Sequence, residues 1–367
     1  MSVKVQEIIT LIETVAPLSL QEEYDNAGLI IGNANMDVTG ALICLDVNEQ
    51  IIEEAIKLNY NLIISHHPLI FKGLKKINGK NSTENCVILA IRNNLAIYAA
   101  HTNLDNVLVN GVNAALADKL HLSKRSVLRP ADKKLMKIIC FVPEMHAAAV
   151  RNALCEAGAG KIGNYDSCSY NSMGYGTFKA LEHANPFVGE KNKIHTENEI
   201  RMELIFHSYQ KANIIRALYN AHPYEEPAFD IISLENTSDS IGSGLMGEFE
   251  NEMEISDFLN LLKTSLNASL LRFSPGNSKQ IRRVALCGGS GSFLIHDAIS
   301  AKVDAFITGD LKYHDFTETS GKILLVDPGH FETEQFTKDI FYDIIRKKMP
   351  KFAVRISEIC TNPIKYW

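Results

Sequence analysis

The sequence predicts an α/β protein whose core is interrupted by an inserted α+β domain. Apolar, strand-like runs alternate with amphipathic helical patterns over about the first 125 residues and again after residue 240. This alternation is typical of mostly parallel sheets. Between the two parts, the predicted elements follow the ferredoxin-like order β-α-β-β-α-β, with room for one additional strand or hairpin. We therefore assign residues 1–126 and 237–367 to the core and residues 127–236 to the insert.

Each predicted element rests on the period of its apolar residues and on its flanking turn or capping residues. The first core segment is predicted to contain a helix over 5–16, a strand over 40–46, a helix over 48–58 capped by Asn48, a strand ending at His67, a helix over 82–93 and a strand ending near His101. The second segment follows a polar linker at 235–240. It is predicted to contain a helix over 258–266, a strand over 283–287, a helix over 293–302, a strand over 305–308, a strand ending at Val326 and a helix over 331–348. We expect a three-layer α/β core.

The insert has a sequence pattern of its own. Its predicted elements are a strand over 134–142, a helix over 146–157, two short strands around 167–170 and 176–181, a strand over 200–206, a helix over 210–220 and a strand over 228–234. A unit of this kind supplies its own sheet and helices. We therefore expect the insert to be a separate domain.

Composition and charge restrict the classes of function. The chain has 367 residues, a net charge of -6 and a pI near 6.1, which argues against a surface that coats nucleic acid but not against a local basic groove. The first residues lack the apolar core of a signal peptide, and no stretch approaches the ~20 apolar residues that cross a bilayer. The seven cysteines are scattered and form no C-x-x-C pair, so no thiolate zinc site is expected. This cysteine usage fits a reduced, cytoplasmic setting.

The pair His66-His67 is the most informative feature for function. It follows the apolar run 61–65, and Pro68 stops the strand immediately afterwards. Successive side chains of a strand point to opposite faces. Two adjacent imidazoles can therefore reach one site only where the strand ends and the chain turns.

Two other predicted strand ends carry matching ligand types. Asp105 follows the strand that ends near His101, while His330 and Glu334 follow the strand that ends at Val326. The last two are spaced i, i+4 at the start of a helix and so share one face. The alternative for this pair is a capping arrangement, because acidic residues favour a helix N-terminus. Glu332 is expected to have that solvated role.

Together, these three imidazoles and two carboxylates predict a catalytic metal centre with two ions. One ion in a closed tetrahedral site cannot use five ligands, whereas two ions a few Å apart can, with Glu334 bridging and water or hydroxide between them. The N/O set suits zinc, iron or manganese and does not choose among them. The predicted ligands are His66, His67, Asp105, His330 and Glu334.

Other residues near these strand ends have two interpretations each. His101 is either a ligand or, in our preferred interpretation, a residue that orients a ligand by a hydrogen bond. Asp327 either holds an imidazole N–H or caps the following helix. Asp310 either contacts substrate or closes a turn. The glycine-rich loop 287–292 is either a tight turn or a backbone anion cradle.

Five motifs, taken in order, resemble those of the Nif-three-like family, whose members are also called GTP cyclohydrolase 1 type 2 homologues. They are Tyr24-Asp25-Asn26-Ala27-Gly28, Ser65-His66-His67-Pro68, His101-Thr102-Asn103-Leu104-Asp105, Thr308-Gly309-Asp310 and Gly329-His330-Phe331-Glu332-Thr333-Glu334. The insert, with its motif at 221–230, resembles the CutA-like, ferredoxin-like domain of the longer bacterial members. The resemblance implies a Nif-three-like core and a dinuclear site whose ligands map onto the five residues above. It also implies a toroidal homohexamer with metal sites facing an interior cavity.

The leading functional hypothesis is a dinuclear divalent-metal-dependent hydrolase that uses metal-activated water. The family name makes GTP cyclohydrolase one candidate activity, but no residue here selects guanine, and a metal-bound hydroxide equally attacks phosphoester or amide-type bonds. We expect a small-molecule substrate, with a nucleotide as one candidate, and we name His101 and Asp310 as candidate catalytic residues for proton transfer. The alternative is a non-enzymatic metal-binding or regulatory hexameric assembly in which the insert senses a ligand.

Overall fold

The computed structural model describes residues 2–367, which form two compact units. One unit, the core, contains the residues up to Pro130 and those from Ser240 onward, and the other unit, the insert, is Ala131–Asp239. The ends of the insert lie within four residues of the sequence-based boundaries at 127 and 236. Among the described residues, no helix is both long and apolar enough to cross a membrane.

The core segment before the insert alternates short strands and helices. Its elements are β1 (Val3–Lys4), α1 (Val5–Glu13), β2 (Gly28–Ile31), β3 (Asp37–Val38), β4 (Ala41–Cys44), α2 (Glu49–Lys57), β5 (Leu62–Ser65), α3 (Ser82–Arg92), β6 (Ala96–Ala99), α4 (Thr102–Asp105), α5 (Val112–Lys119) and β7 (Ser123–Pro130). The predicted cap at Asn48 is confirmed, because its side chain accepts a hydrogen bond from the Ile51 N–H at 3.0 Å. Asn81 caps α3 in the same way through the Glu84 N–H at 2.9 Å.

The insert consists of a four-stranded antiparallel sheet and two helices. Its elements are β8 (Leu135–Pro143), α6 (Ala147–Glu156), β9 (Tyr170–Lys179), β10 (Ile194–His207), α7 (Lys211–Ala221) and β11 (Phe229–Ser233), with the sheet order β11-β8-β10-β9. The prediction of two short strands around 167–181 is wrong, because β9 is one strand that pairs with β10 over its whole length. Most of β9 is exposed, so its residues show no buried alternation that a sequence pattern would reveal.

The core segment after the insert has the same alternating character. Its elements are β12 (Gly242–Glu254), α8 (Ile255–Ser265), β13 (Arg272–Ser274), β14 (Gln280–Ser290), α9 (Ile295–Ser300), β15 (Ala305–Gly309), α10 (Tyr313–Thr319), β16 (Leu324–Asp327), α11 (His330–Glu334), α12 (Thr337–Lys348) and β17 (Val354–Ile356). The predicted single helix over 331–348 is wrong, since α11 and α12 are separate. The Thr337 hydroxyl donates to the Glu334 carbonyl at 2.8 Å and occupies an acceptor that a continuous helix would use.

The core contains two large sheets. The five-stranded sheet has the order β17-β4-β5-β6-β2, and all its pairs are parallel except β6 with β2. The six-stranded sheet has the order β13-β16-β15-β14-β12-β7 and is parallel only between β14, β15 and β16. The prediction of mostly parallel sheets therefore fails for the second sheet, where β7, β12 and β13 add antiparallel edges.

Both sheets present the carboxyl ends of three neighbouring parallel strands. In the first sheet these are β4, β5 and β6, and in the second they are β14, β15 and β16. All four residues of β5 and all four of β6 are buried, so these strands fix the backbone from which the following residues leave. Crevices at such strand ends are the usual binding sites of α/β proteins.

Candidate metal centre

The end of β5 shows how two successive histidines reach one site. The backbone N–H groups of His66 and His67 both donate to the Leu45 carbonyl, at 3.2 and 3.0 Å. The chain therefore leaves the regular strand pattern directly after Ser65. As a result, the two imidazole rings lie on the same side, with their centroids 4.9 Å apart.

Three imidazoles are held through their Nδ1 atoms. The Nδ1–H of His66 donates to the Ala100 carbonyl at 2.9 Å, that of His67 to Asp46 Oδ1 at 2.7 Å, and that of His330 to Asp310 Oδ2 at 2.7 Å. These bonds fix the orientation of each ring and leave Nε2 as the atom that faces the site. Metal-binding histidines are commonly oriented by such outer hydrogen bonds.

Glu334 lies between two groups of ligand atoms. Its Oε2 is 2.9 Å from both His67 Nε2 and His330 Nε2, whereas its Oε1 is 3.6 Å from His66 Nε2. On the second side, His66 Nε2 is 3.7 Å from Asp105 Oδ1. The five predicted ligands thus form two sets that share Glu334, one containing His66 and Asp105 and the other containing His67 and His330.

The donor atoms fit a divalent cation. His66 Nε2 and Asp105 Oδ1 are buried and have no hydrogen-bond partner. Because His66 already donates its Nδ1–H, its Nε2 carries a lone pair that faces carboxylate oxygens. Buried lone pairs that face each other repel unless a cation lies between them. Separations of 3.6–3.7 Å are too long for hydrogen bonds but suit two ligands sharing one ion at about 2.1 Å each.

Without metal, protons occupy part of this site. Burial lowers the pKa of His67, but Asp46 and Glu334 outweigh it and raise that pKa to about 10. Burial is likewise outweighed at His330, where Glu334 and Asp310 raise the pKa to about 9. For His66, burial dominates and lowers the pKa, so this ring stays neutral. A metal ion would therefore displace protons from the His67 and His330 side.

The two carboxyl groups of the centre have opposite tendencies. Burial opposes ionisation of Glu334, but the neighbouring imidazoles, with protonated His330 and His67 at its Oε2, outweigh it and hold the pKa well below its usual range. Burial and the neighbouring Glu334 charge raise the pKa of Asp105 well above its usual range. Two carboxylates this close disfavour each other's charge. A bound cation would offset the repulsion between these two carboxylates.

Comparison with known proteins agrees with this architecture. The family described as Duf34/NIF3 (NGG1p interacting factor 3) matches residues 3–363. The chain belongs to this family. It is 37% identical over 366 residues to the GTP cyclohydrolase 1 type 2 homolog of Halalkalibacterium halodurans, covering 98% of each chain. It is 38% identical over 374 residues to the protein of the same name in Bacillus subtilis, covering 100% of this chain and 99% of that one.

The fold of this Duf34/NIF3 chain is also that of a solved relative. A crystal structure of a Bacillus cereus protein related to NIF3 superposes with a TM-score of 0.87 at 36% identity, and each chain is covered completely. The predicted family is thereby confirmed, and the mixed α/β fold is shared with that relative. The metal ligands and the catalytic residues stay predictions.

The structure places the two candidate catalytic residues next to the predicted ligands. The Nδ1–H of His101 donates to Asp25 Oδ1 at 2.7 Å, and its ring centroid lies 5.2 Å from His66 and 5.4 Å from His67. This anchoring matches that of the three imidazoles above and suits ligation, whereas the hydrogen bond of this ring goes to Asp25 and not to a predicted ligand. Asp310 has a positive φ of 58°, and its carboxylate accepts the hydrogen bond from His330 Nδ1.

Two sequence-based interpretations of acidic residues are corrected. Glu332 is buried rather than solvated, with 6% of its surface exposed, and its Oε1 accepts a hydrogen bond from Asn362 Nδ2 at 3.2 Å. Asp327 does not hold an imidazole. It accepts from the Gly329 N–H at 2.9 Å and the Leu311 N–H at 3.1 Å, which fixes the turn that leads into α11.

The segment 287–292 is neither a tight turn nor an anion cradle, because its residues up to Ser290 belong to β14, whose register against β15 shifts between Cys287 and Ser290. The backbone N–H groups of Gly288, Gly289 and Gly291 donate hydrogen bonds to side chains of the protein itself, at 2.9, 2.9 and 2.8 Å. Gly289 is required here because its φ is +60° and a Cβ would lie 2.1 Å from Glu334 Oε1. The glycine therefore makes room for the shared carboxylate.

Several side chains that support the centre of this Duf34/NIF3 protein were not predicted from the sequence. Asp46 follows β4, which neighbours β5, so its position at a strand end was a usable signal. Asp25 belongs to a motif that looks turn-like in isolation. Thr361, whose hydroxyl donates to Asp46 Oδ2 at 2.8 Å, has no local pattern that would reveal it.

Proposed function

We propose that this chain is a divalent-metal-dependent hydrolase with two ions per chain. The observation that carries the proposal is the pair of buried, partnerless atoms, His66 Nε2 and Asp105 Oδ1, beside a carboxylate that also faces two further imidazoles. His66 and Asp105 would hold one ion, His67 and His330 the other, and Glu334 both. When bound, the ions would supply Lewis-acid activation of water and of the substrate's electrophilic atom.

The protein's own groups position the ligands and move protons. Asp46 and Asp310 fix the rings of His67 and His330, so that Nε2 of each ring faces the site. His101 is the candidate proton acceptor. Hydrogen bonds from His101 and Thr102 outweigh burial and lower the pKa of Asp25 to about 2, so this carboxylate stays ionised and can stabilise a protonated His101 ring.

A small molecule is the proposed substrate, and a nucleotide is the first one to test. The relatives in Halalkalibacterium halodurans and Bacillus subtilis are named GTP cyclohydrolase 1 type 2 homolog. Opening a purine ring requires attack by an activated water, which is the chemistry that two divalent ions supply. The same chemistry serves phosphoester and amide-type substrates, so these belong in the same assay panel.

The assembly and cellular setting are part of the proposal. The family resemblance supports a homohexamer, and the sheet order β11-β8-β10-β9 supports a ferredoxin-like insert. All seven cysteines are free thiols, which supports a cytoplasmic location. No contact between copies is needed for the two ligand sets described above, because one chain supplies both.

The test compares metal content and turnover in matched variants. Protein reconstituted with zinc, manganese or iron is assayed against GTP, phosphoesters and amides, alongside His67→Ala and the control His314→Ala, whose ring is exposed on α10. We expect turnover in the parent and in His314→Ala and its loss in His67→Ala. Two ions bound without turnover of any substrate would reject the hydrolase and favour the non-enzymatic metal-binding assembly.

A further inference from the structure

The segment Tyr24-Asp25-Asn26 contacts both the metal centre and the loop after β5. Asp25 holds His101 through Oδ1 and accepts from the Thr102 N–H through Oδ2 at 3.0 Å. Asn26 Nδ2 donates to the Ile70 carbonyl at 2.6 Å. Asp25 therefore anchors the segment to His101, and Asn26 anchors it to Ile70. Tyr24 directly precedes these two anchored residues.

Tyr24 and Phe71 are two large aromatic side chains that remain exposed beside the centre. Tyr24 is 65% exposed and Phe71 is 44% exposed, and their ring centroids lie 6.3 Å apart at an interplanar angle of 52°. The rings of Phe71 and His101 form an edge-to-face contact, with centroids 6.1 Å apart and an interplanar angle of 80°. Single exposed aromatic residues need no explanation. A pair held next to a candidate catalytic histidine by the Asn26–Ile70 hydrogen bond is a preorganised apolar surface.

The Tyr24 hydroxyl belongs to the same electrostatic environment as the metal ligands. Partial burial and the carboxylates of Glu22, Asp105 and Asp25 raise the pKa of Tyr24. A raised pKa keeps the phenol neutral at pH 7, where it can donate a hydrogen bond. The ring of Tyr24 thus offers an apolar face, and its hydroxyl offers a hydrogen-bond donor within the electrostatic influence of Asp105.

A strongly cationic segment follows Phe71 directly. Residues 72–80 contain four lysines, and no acidic residue occurs between His67 and Glu84, although the chain as a whole has a net charge of -6. The four lysines are exposed, and they are Lys72, Lys75, Lys76 and Lys80. The far end of the segment is fixed, because the Asn78 and Lys80 N–H groups both donate to Glu84 Oε2 at 3.0 Å. Such a local concentration of positive charge attracts anionic ligands.

We propose that Tyr24 and Phe71 form an aromatic clamp for a planar ring and that the lysine segment 72–80 binds an anionic group on the same ligand. The substrate class is thus a planar aromatic compound that carries phosphate or another anion. This inference rests on the proposed function, because it assigns the substrate side of the same centre. Stacking on aromatic side chains tolerates different bases, so the clamp selects a ring and not one nucleobase.

Equilibrium binding separates the contributions of ring and anion. Three probes are titrated into metal-loaded protein: GTP, which has both parts, guanosine, which has the ring, and inorganic triphosphate, which has the anion. The clamp variants are Tyr24→Leu and Phe71→Leu, with Tyr165→Leu as an exposed-tyrosine control in the insert. The charge variant is Lys72→Gln with Lys75→Gln, and its control is Lys263→Gln on α8.

We expect GTP to bind more tightly than either partial probe. Each clamp variant should weaken GTP and guanosine about fivefold or more and leave triphosphate unchanged, because loss of one stacking contact has that magnitude. The lysine variant should weaken GTP and triphosphate and leave guanosine unchanged. Thermal melting and metal content establish that each variant is folded and loaded.

The outcomes distinguish this inference from the proposed function. Equal GTP affinity in the parent, Tyr24→Leu and Phe71→Leu overturns the clamp, even if the protein hydrolyses another substrate. No measurable binding of any of the three probes to the parent also overturns it. Clamp-dependent GTP binding without turnover of GTP, phosphoesters or amides supports the clamp and rejects the hydrolase.

Discussion

Thr361 donates its hydroxyl proton to Asp46 Oδ2 at 2.8 Å, while Asp46 Oδ1 accepts from His67 Nδ1 at 2.7 Å. The next residue, Asn362, donates through Nδ2 to Glu332 on α11, the helix that also carries Glu334. Two consecutive residues after β17 therefore support His67 and the helix that carries Glu334. They do so without contributing a ligand.

The first prediction concerns this support. Thr361→Val removes the hydroxyl but keeps the side-chain shape, so Asp46 loses one donor and orients His67 less firmly. Metal affinity on the His67 side should fall about tenfold, the lower end of the effect seen when such outer partners are removed. Competition with a chelator measures the affinity. Thr317→Val on α10, an exposed threonine, is the control. Identical affinities in both variants would show that Thr361 does not support the site.

The second prediction concerns the shared carboxylate. Reconstituted protein should contain two ions per chain by elemental analysis, and Glu334→Gln should lose metal at both positions, because both ligand sets use this residue. Glu332→Gln should keep its metal, since Glu332 faces Gly329 and Asn362 and not the ligand atoms. Equal metal content in the two variants would mean that the wrong carboxylate has been chosen. A parent stoichiometry of one or zero would reject the dinuclear centre.

The third prediction concerns pH. In metal-free protein, the raised pKa values of about 10 for His67 and about 9 for His330 keep both rings protonated at pH 7. Metal binding must release these protons, so affinity should rise more than tenfold per pH unit between pH 6 and 9. Calorimetry in two buffers with different ionisation enthalpies measures the number of protons released. A pH-independent affinity, with no proton release, would contradict the assignment of these two rings as ligands.

The same shifts predict the stability of the metal-free protein. A histidine whose pKa is higher in the folded state than in the unfolded state stabilises the fold below its unfolded value of about 6.5, and this contribution is lost as the pH rises through the folded value. The melting temperature of metal-free protein should therefore fall between pH 7 and 10. Metal-loaded protein should not show this fall, because the ion replaces the protons. A parallel pH dependence of the two forms would argue against protonation within the centre.

The candidate ligands could be named from the sequence, whereas some of the residues that support them could not. His66 and His67 end a short apolar strand, and His330 and Glu334 share a helix face, so local periodicity reveals them. Asp25 is 76 residues away from His101 in the sequence, and Thr361 is 315 residues away from Asp46. No local sequence pattern indicates contacts between residues so far apart. Strand β12 was missed for a related reason. Its glycines and acidic residues disfavour a strand, and pairing with β7 and β14 overrides that preference.

The last prediction concerns removal of the insert. Strands β7 and β12 pair antiparallel, and their register places Pro130 opposite Gly242. The chain therefore leaves and re-enters the core at two neighbouring backbone positions, a distance that a hairpin turn of two to five residues can close. The insert has its own apolar cluster, formed by β8, β10, α6 and α7 and including Ile138, Leu154, Leu204 and Leu218.

A deletion of Ala131–Asp239, closed with a short Asn-Gly or Gly/Ser turn, should therefore leave a folded core. All five predicted metal ligands lie outside the deleted residues, so the core should bind the same number of ions as the parent. Elemental analysis and thermal melting, with and without metal, measure the two properties. Closing the gap with turns of different length separates a poor linker from an unstable core. If every such variant is insoluble or metal-free, the core needs the insert in order to fold, and the domain boundaries must be redrawn.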